Sequence, residues 1–213
     1  MDPGLNELLK WSVENSSTTE NDPTAAPPTN RHFNPDALNS LFGGPSDADL
    51  MLASMAAIQS TDPEISLDDK LVAFDNFEQL IENLDNANNL GPLSLWTPLL
   101  EQLGNPESEI RKMAAWCVGT AVQNNEKSQE RLLAMGGIEP LVRMAVSEKE
   151  GSQVRRKAAY ALSSAARNYQ PAMDVFTSEL KKLGRKQDKV DASDMEACDG
   201  LINGLREEAS KAA

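Results

Sequence analysis

Ile110-Arg111-Lys112-Met113-Ala114-Ala115-Trp116-Cys117-Val118 returns further along the chain as Val154-Arg155-Arg156-Lys157-Ala158-Ala159-Tyr160-Ala161-Leu162. Upstream of each copy, Pro98-Leu99-Leu100 is matched by Pro140-Leu141-Val142, and the loop between is two residues longer in the second copy. The repeat therefore runs from Pro98 to Asn124 and again from Pro140 to Asn168. Its period, about 42 to 44 residues, falls in the range of armadillo and HEAT helical repeats. Units of this kind cannot bury their apolar faces alone, so they stack and leave a long concave surface. The expected fold is all-α, an armadillo-like helical repeat solenoid with a flexible N-terminal arm.

The apolar pattern supports this. Ile110, Met113, Ala114, Cys117, Val118 and Ala121 recur at helical spacing, as do Val154, Ala158, Ala161, Leu162 and Ala165. Their small side chains let neighbouring helices approach closely. An earlier unit begins near Leu67 with Leu71, Phe74, Phe77, Leu80, Ile81 and Leu84. Shorter helices fall between the long ones, around Trp96 to Leu103 and Ile138 to Ala145. Gly136-Gly137 ends one helix through a left-handed residue and Pro140 opens the next.

Five segments follow from composition: a short amphipathic motif over 1–15, a flexible Ser/Thr/Asn/Pro linker over 16–33, N-terminal capping helices over 34–65, armadillo-like repeats over 66–184, and a charged loop with a capping helix over 185–213. In the fourth segment a weaker helix is expected from about Ala172 to Leu183. In the last, a helix is expected from about Ala192 to Arg206.

The formal net charge of -13 argues against nucleic acid and against an anionic membrane as partners, since both require clustered Lys and Arg. No apolar run approaches the length of a spanning helix, and the N-terminus lacks a basic leader. Cys117 and Cys198 lie in helical patterns without metal-ligand spacing and read as buried free thiols of a reducing compartment. The expected location is the cytoplasm, and the expected state a monomer.

Catalytic chemistry finds no foothold. The single histidine, His32, lies in the linker, and the glycine pairs lack the strand and the Lys-Ser/Thr of a phosphate loop. Carboxylates are spread over helical faces, so no acid and base pair stands out. No cofactor and no metal are expected.

Binding is expected at the C-terminal ends of the long helices. Asn83, Asn124 and Asn168 fall at matching points of three units, and an asparagine both donates and accepts hydrogen bonds. Two readings stand: a ladder for a partner, or residues suited to the left-handed turn at a helix end. The cluster Asp85-Asn86-Ala87-Asn88-Asn89, the pair Asn124-Asn125 and Arg167 join the candidates, and Ala87→Arg is expected to block the groove with the fold intact. Arg111, Lys112, Arg155 and Arg156 sit at helix starts, where the dipole disfavours cations; partner carboxylates or intramolecular glutamates must compensate.

Leu8-Leu9-Lys10-Trp11-Ser12, Leu41-Phe42-Gly43-Gly44, Lys70 to Glu78, Ile81 to Asn89 and Gly119 to Asn125 together closely resemble the fungal Fes family, whose animal counterpart is the heat-shock-protein-70-binding protein. The resemblance runs to about Asn168, and beyond Leu180 no further unit is laid down. It implies a cytosolic nucleotide exchange factor whose concave face grips the nucleotide-binding domain of heat shock protein 70 and opens the ADP cleft. An arm bearing Leu8, Leu9 and Trp11 then either occupies the chaperone's substrate cleft and promotes client release, or packs on the first repeat. The alternatives are an armadillo adaptor for extended peptides and a nucleotide-independent holdase.

Overall fold

Ser66 opens the regular stack with a reciprocal cap: its hydroxyl accepts from the Asp69 N–H while the Asp69 carboxylate accepts from the Ser66 N–H. The helix it starts, Leu67–Ile81, is one of three helices of 15 residues, the others being Ser108–Val122 and Ser152–Ala166. A computed structural model describes residues 45–211 and holds ten α-helices there, with no strand among the described residues. The expectations placed on 1–44, including the arm, the linker and a helix start at Asn34, lie outside those residues. The unit from Asp47 onward is an armadillo-like solenoid.

In chain order the helices are α1 (Asp47–Gln59), α2 (Leu67–Ile81), α3 (Leu84–Asn89), α4 (Trp96–Glu101), α5 (Ser108–Val122), α6 (Glu126–Ala134), α7 (Ile138–Val146), α8 (Ser152–Ala166), α9 (Gln170–Lys182) and α10 (Met195–Lys211), with a 3-10 turn, Gln102–Gly104, after α4. The long helices α2, α5 and α8 pack side by side, with α1 against α2, while α7 lies behind α8 and α9 behind α7. One continuous apolar core joins them, from Met51 and Phe74 through Leu99, Cys117 and Leu141 to Phe176 and Ile202.

The three long helices run parallel. Thr120 reaches Glu78 and Cys117 Sγ lies 3.8 Å from the Phe74 carbonyl, so α5 follows α2 with an offset of about one repeat. Gly119 faces Tyr160 and Ala161 in the same sense. A Cβ on Gly119 would stand 2.5 Å from the Tyr160 ring and 3.1 Å from the Ala161 backbone, so this glycine is what lets α8 come so near.

The repeat seen in the sequence is also a repeat of backbone conformation. After α5 and after α8 the chain turns through a left-handed asparagine, Asn124 at φ 52° and Asn168 at φ 57°. The next residues, Asn125 and Tyr169, then share φ near -131° and -134° and each precedes a helix. Further on, Gly136 at φ 70° and Gly184 at φ 79° close α6 and α9 in one manner. Gly137 N–H donates to Leu132 and Gly136 N–H to Leu133, as Arg185 does to Leu180 and Gly184 to Lys181.

Two expectations change. Asn83 sits two residues past α2, as Asn124 does past α5, but at φ -73°; it is the N-cap of α3, its side chain accepting from Asp85 N–H. The last helix starts at Met195 rather than near Ala192, because Asp194 caps it through Ala197 N–H, while the Ala192 N–H is claimed by the Gln170 side chain. This α10 runs antiparallel to α8: Arg155 at the start of α8 donates to the Glu208 carbonyl near the end of α10, and Arg167 just past α8 pairs with Asp199 near its beginning.

The helix-start cations find intramolecular partners. Arg111 makes a two-pronged bond to Glu150 at 2.8 and 2.7 Å and also donates to the Asn105 and Pro106 carbonyls. Lys112 pairs with Glu109, Arg155 donates to the Ala145 carbonyl, and Arg156 donates to Ser210 Oγ. Both cysteines are free and buried.

The long-helix face as candidate binding site

On α5 only a narrow strip escapes burial, because neighbours flank it on both sides. Lys112, Trp116 and Thr120, at i, i+4 and i+8, are half-buried there, with Gln123 exposed beyond the helix end. The matching strip on α8 is Arg156, Lys157, Tyr160, Ser164 and Arg167, while α2 contributes Asp75, Gln79 and Glu82, with Glu78 buried beneath them. Side chains reach across the helices and tie the strips together. Lys157 Nζ stands 3.6 Å from the centre of the Trp116 ring, the Tyr160 hydroxyl donates to Gln123 Oε1 at 3.0 Å, and the Thr120 hydroxyl donates to Glu78 Oε1 at 2.6 Å.

Electrostatics follow from that crowding. Burial raises the Glu78 carboxyl above the ordinary glutamate value; its bond from Thr120 opposes this, Glu82 adds to it, Lys157 opposes and Asp75 adds. Burial likewise lowers the Lys157 ammonium, which Glu78 pulls partly back and Lys112 pushes down again. The Cys117 thiol beneath is raised well above its usual range, by burial first and by Glu78 second; it is a packing group rather than a nucleophile. The face offers an aromatic plane, a held cation and several hydrogen-bonding ends, set on rigid helices. That arrangement suits a protein surface.

The residues expected from the sequence divide into three groups. Asn83, Asp85, Asn124 and Asn168 are exposed, and all lie at or just beyond the C-terminal ends of α2, α5 and α8, hence along one edge. Arg167 is half-buried on the same edge, where it donates to Ser163 and pairs with Asp199. Asn86, Ala87 and Asn125 are interior. Asn86 donates to Asp47 at 2.7 Å and to the Leu80 carbonyl at 3.0 Å, and Asn125 caps α6 through Ser128 N–H while donating to Ser128 Oγ. Ala87 is only 2 % exposed, so Ala87→Arg would disrupt packing, contrary to the expectation of an intact fold. Asn88 is half-buried, its Oδ1 without a hydrogen-bond partner among the described residues, beside a cavity of about 280 Å³ that also involves Trp96, Lys127 and Arg131.

Sequence reasoning passed over Trp116, Thr120, Lys157 and Tyr160. The signal was available: Trp116 and Tyr160 occupy the same repeat position, off the apolar stripe. Two large aromatics returning outside a core pattern mark a second conserved-shape demand on the repeat, namely its outer face.

Among the described residues no helix is long and apolar enough to cross a membrane, and no cluster of metal-ligating side chains occurs.

Comparison with known proteins gives the same outline. The family "Nucleotide exchange factor Fes1" matches residues 5–90, and the "SIL1/FES1/HPBP1 C-terminal domain" matches residues 86–184. A Gibberella zeae protein described as "Hsp70 nucleotide exchange factor FES1" is 68% identical over 99% of both chains. Relatives of the same description from Neurospora crassa and Coccidioides immitis are 49% identical over 100% of both chains, and 48% identical over 97% of this chain and 99% of theirs. The crystal structure of an engineered protein shares the fold, with a TM-score of 0.53 at 18% identity over 84% of this chain and 68% of that one. On these matches the chain belongs to the Fes1 nucleotide exchange factor family.

Proposed function

We propose that this protein is a co-chaperone that speeds nucleotide exchange on a cytoplasmic Hsp70, binding the chaperone's nucleotide-binding domain with the long-helix face and loosening the cleft that holds ADP. The observation that carries the reading is full-length identity of 68% to a relative named for that activity. The face supports it physically, since it offers an anchor and hydrogen-bonding groups on a preorganised surface. No covalent bond is made or broken by this chain in that role.

The contact is proposed to run along Trp116, Lys157 and Tyr160 and to extend over the edge carrying Asn83, Asp85, Asn124, Arg167 and Asn168. The arm residues Leu8, Leu9 and Trp11 are assigned client release, by occupying the chaperone's substrate cleft. Deletion of residues 1–30 then leaves ADP release unchanged and slows client-peptide release.

Linkage fixes the energetics. If the factor weakens ADP binding by some ratio, ADP weakens factor binding by the same ratio, and such couplings are typically about 1 to 3 kcal/mol. The test is stopped-flow release of a fluorescent ADP from an Hsp70 nucleotide-binding domain. A saturable acceleration is expected. Binding without acceleration would favour an adaptor, and suppression of client aggregation without nucleotide dependence would favour a holdase.

A further inference from the structure

The long-helix face carries opposite charge at its two ends. At the α2 end Asp75, Glu78 and Glu82 gather closely enough for the outer two to act on Glu78, and the Gln79 amide holds Asp75 at 2.9 Å. At the other end, Arg156 faces α10 across a groove of about 490 Å³ lined by Asn203, Arg206, Glu207, Ser210 and Lys211.

The cations of that groove are not consumed internally. Arg155 and Arg167 pair with carboxylates of α10. Arg156 instead donates to the neutral Ser210 Oγ at 3.2 Å and Arg206 to the neutral Asn203 Oδ1 at 3.5 Å. Among the described residues, no ion pair involves Arg156, Arg206 or Lys211, whereas the neighbouring Lys157 lies over Trp116 and feels the Glu78 carboxylate. In a chain of net charge -13, the groove sets Arg156, Arg206 and Lys211 against the single carboxylate Glu207, a local reversal of sign at one end of one face.

Distance keeps the poles separate. Helices pack at roughly 9 Å between axes, so three steps put α2 and α10 on the order of 27 Å apart. That is about three Debye lengths at physiological salt, and neither pole cancels the other.

We infer that the face accepts its partner in one orientation set by this polarity: a folded domain that presents acidic side chains to the α8–α10 groove and basic ones to the exposed Asp75 and Glu82, with Trp116 as the apolar anchor between. The inference rests on the exchange-factor reading and adds the charges that the chaperone surface must carry. The groove end attracts, the α2 end attracts the opposite sign, and a domain docked in reverse meets like charge at both.

The experiment compares the wild-type chain, Arg156→Glu with Arg206→Glu, and Glu82→Lys. Arg143→Glu serves as control: it makes the same kind of reversal on α7, behind the long-helix layer. Association with an Hsp70 nucleotide-binding domain loaded with fluorescent ADP is followed at low and at high salt, with helical content and thermal melting of every variant. Both face variants are expected to associate about tenfold more slowly at low salt and to recover most of the deficit at high salt. The control is expected to match wild type. Folded face variants that associate at the wild-type rate, or that lose the same factor at both salts, would overturn the inference while leaving exchange activity standing. A wild-type chain that neither binds nor speeds ADP release would instead overturn the exchange-factor reading.

Discussion

Lys157 and Trp116, on neighbouring long helices, meet with the ammonium 3.6 Å above the ring centre. The contact restrains the half-buried ring, and burial keeps the cation from full solvation. An attraction of this kind is worth about 0.5 to 2 kcal/mol, and it leaves the ring with few rotamers to lose when a partner covers it.

Trp116→Ala should therefore cost exchange activity more than stability. Truncating a central aromatic anchor commonly weakens binding by about 2 kcal/mol or more, so the concentration needed for half-maximal ADP release should rise more than tenfold. Denaturant titration should show a loss of about 1 to 2 kcal/mol. A variant with wild-type exchange would remove Trp116 from the contact.

Gly119→Ala should destabilise the fold by about 1 to 3 kcal/mol, the usual range for overpacking. The added methyl meets the Tyr160 ring at 2.5 Å and, less forgivingly, the Ala161 Cα at 3.1 Å. The ring must leave its place beside Gln123, so exchange should fall as well. Guanidinium unfolding curves and the ADP-release assay test the two halves separately.

The left-handed asparagines separate a turn role from a binding role. Alanine at position 124 or 168 must adopt φ near 52° or 57° and should cost about 1 kcal/mol, whereas glycine there should be nearly neutral for stability. Normal exchange by the glycine variants would restrict both residues to the turn; reduced exchange with unchanged stability would place their side chains in the contact.

Glu78→Gln should change how stability depends on pH. The Glu78 carboxyl is raised in the fold, so between its unfolded value and its folded value the native state holds more proton than the unfolded chain. Stability from this group is full below the unfolded value and is lost as pH rises through the folded one. The glutamine variant keeps an acceptor for Thr120 and lacks that loss, so its urea midpoint should fall less than that of wild type across the upper carboxylate range.

Much of this architecture was legible because the repeat is written twice. Helix lengths and the Gly136 turn follow from apolar spacing and from residues that tolerate positive φ. The difference between Asn83 and Asn124 did not follow, since one residue type serves both as an N-cap and in a left-handed turn, and only the next few residues decide. Leu84-Asp85 continues at once into α3, where Asp85 N–H takes the Asn83 side chain. The interior place of Asn86 and Ala87 was likewise hidden, because a polar cluster reads as surface until a partner such as Asp47, 39 residues away, is seen to satisfy it. Trp116 and Tyr160 were visible as a repeated pair, but their significance depends on Lys157 reaching back over α5. That contact belongs to packing rather than to pattern.

The reversed direction of α10 bears on self-assembly. Parallel units related by one repeating operation have a leading surface that fits their own trailing surface, the condition under which copies add head to tail without closing. By laying a helix of opposite sense against α8, the chain covers that flank with an element whose direction breaks the repeating operation. The parallel order of α2, α5 and α8 is therefore not carried on past α8 among the described residues, and the long-helix layer meets there a flank of a different kind.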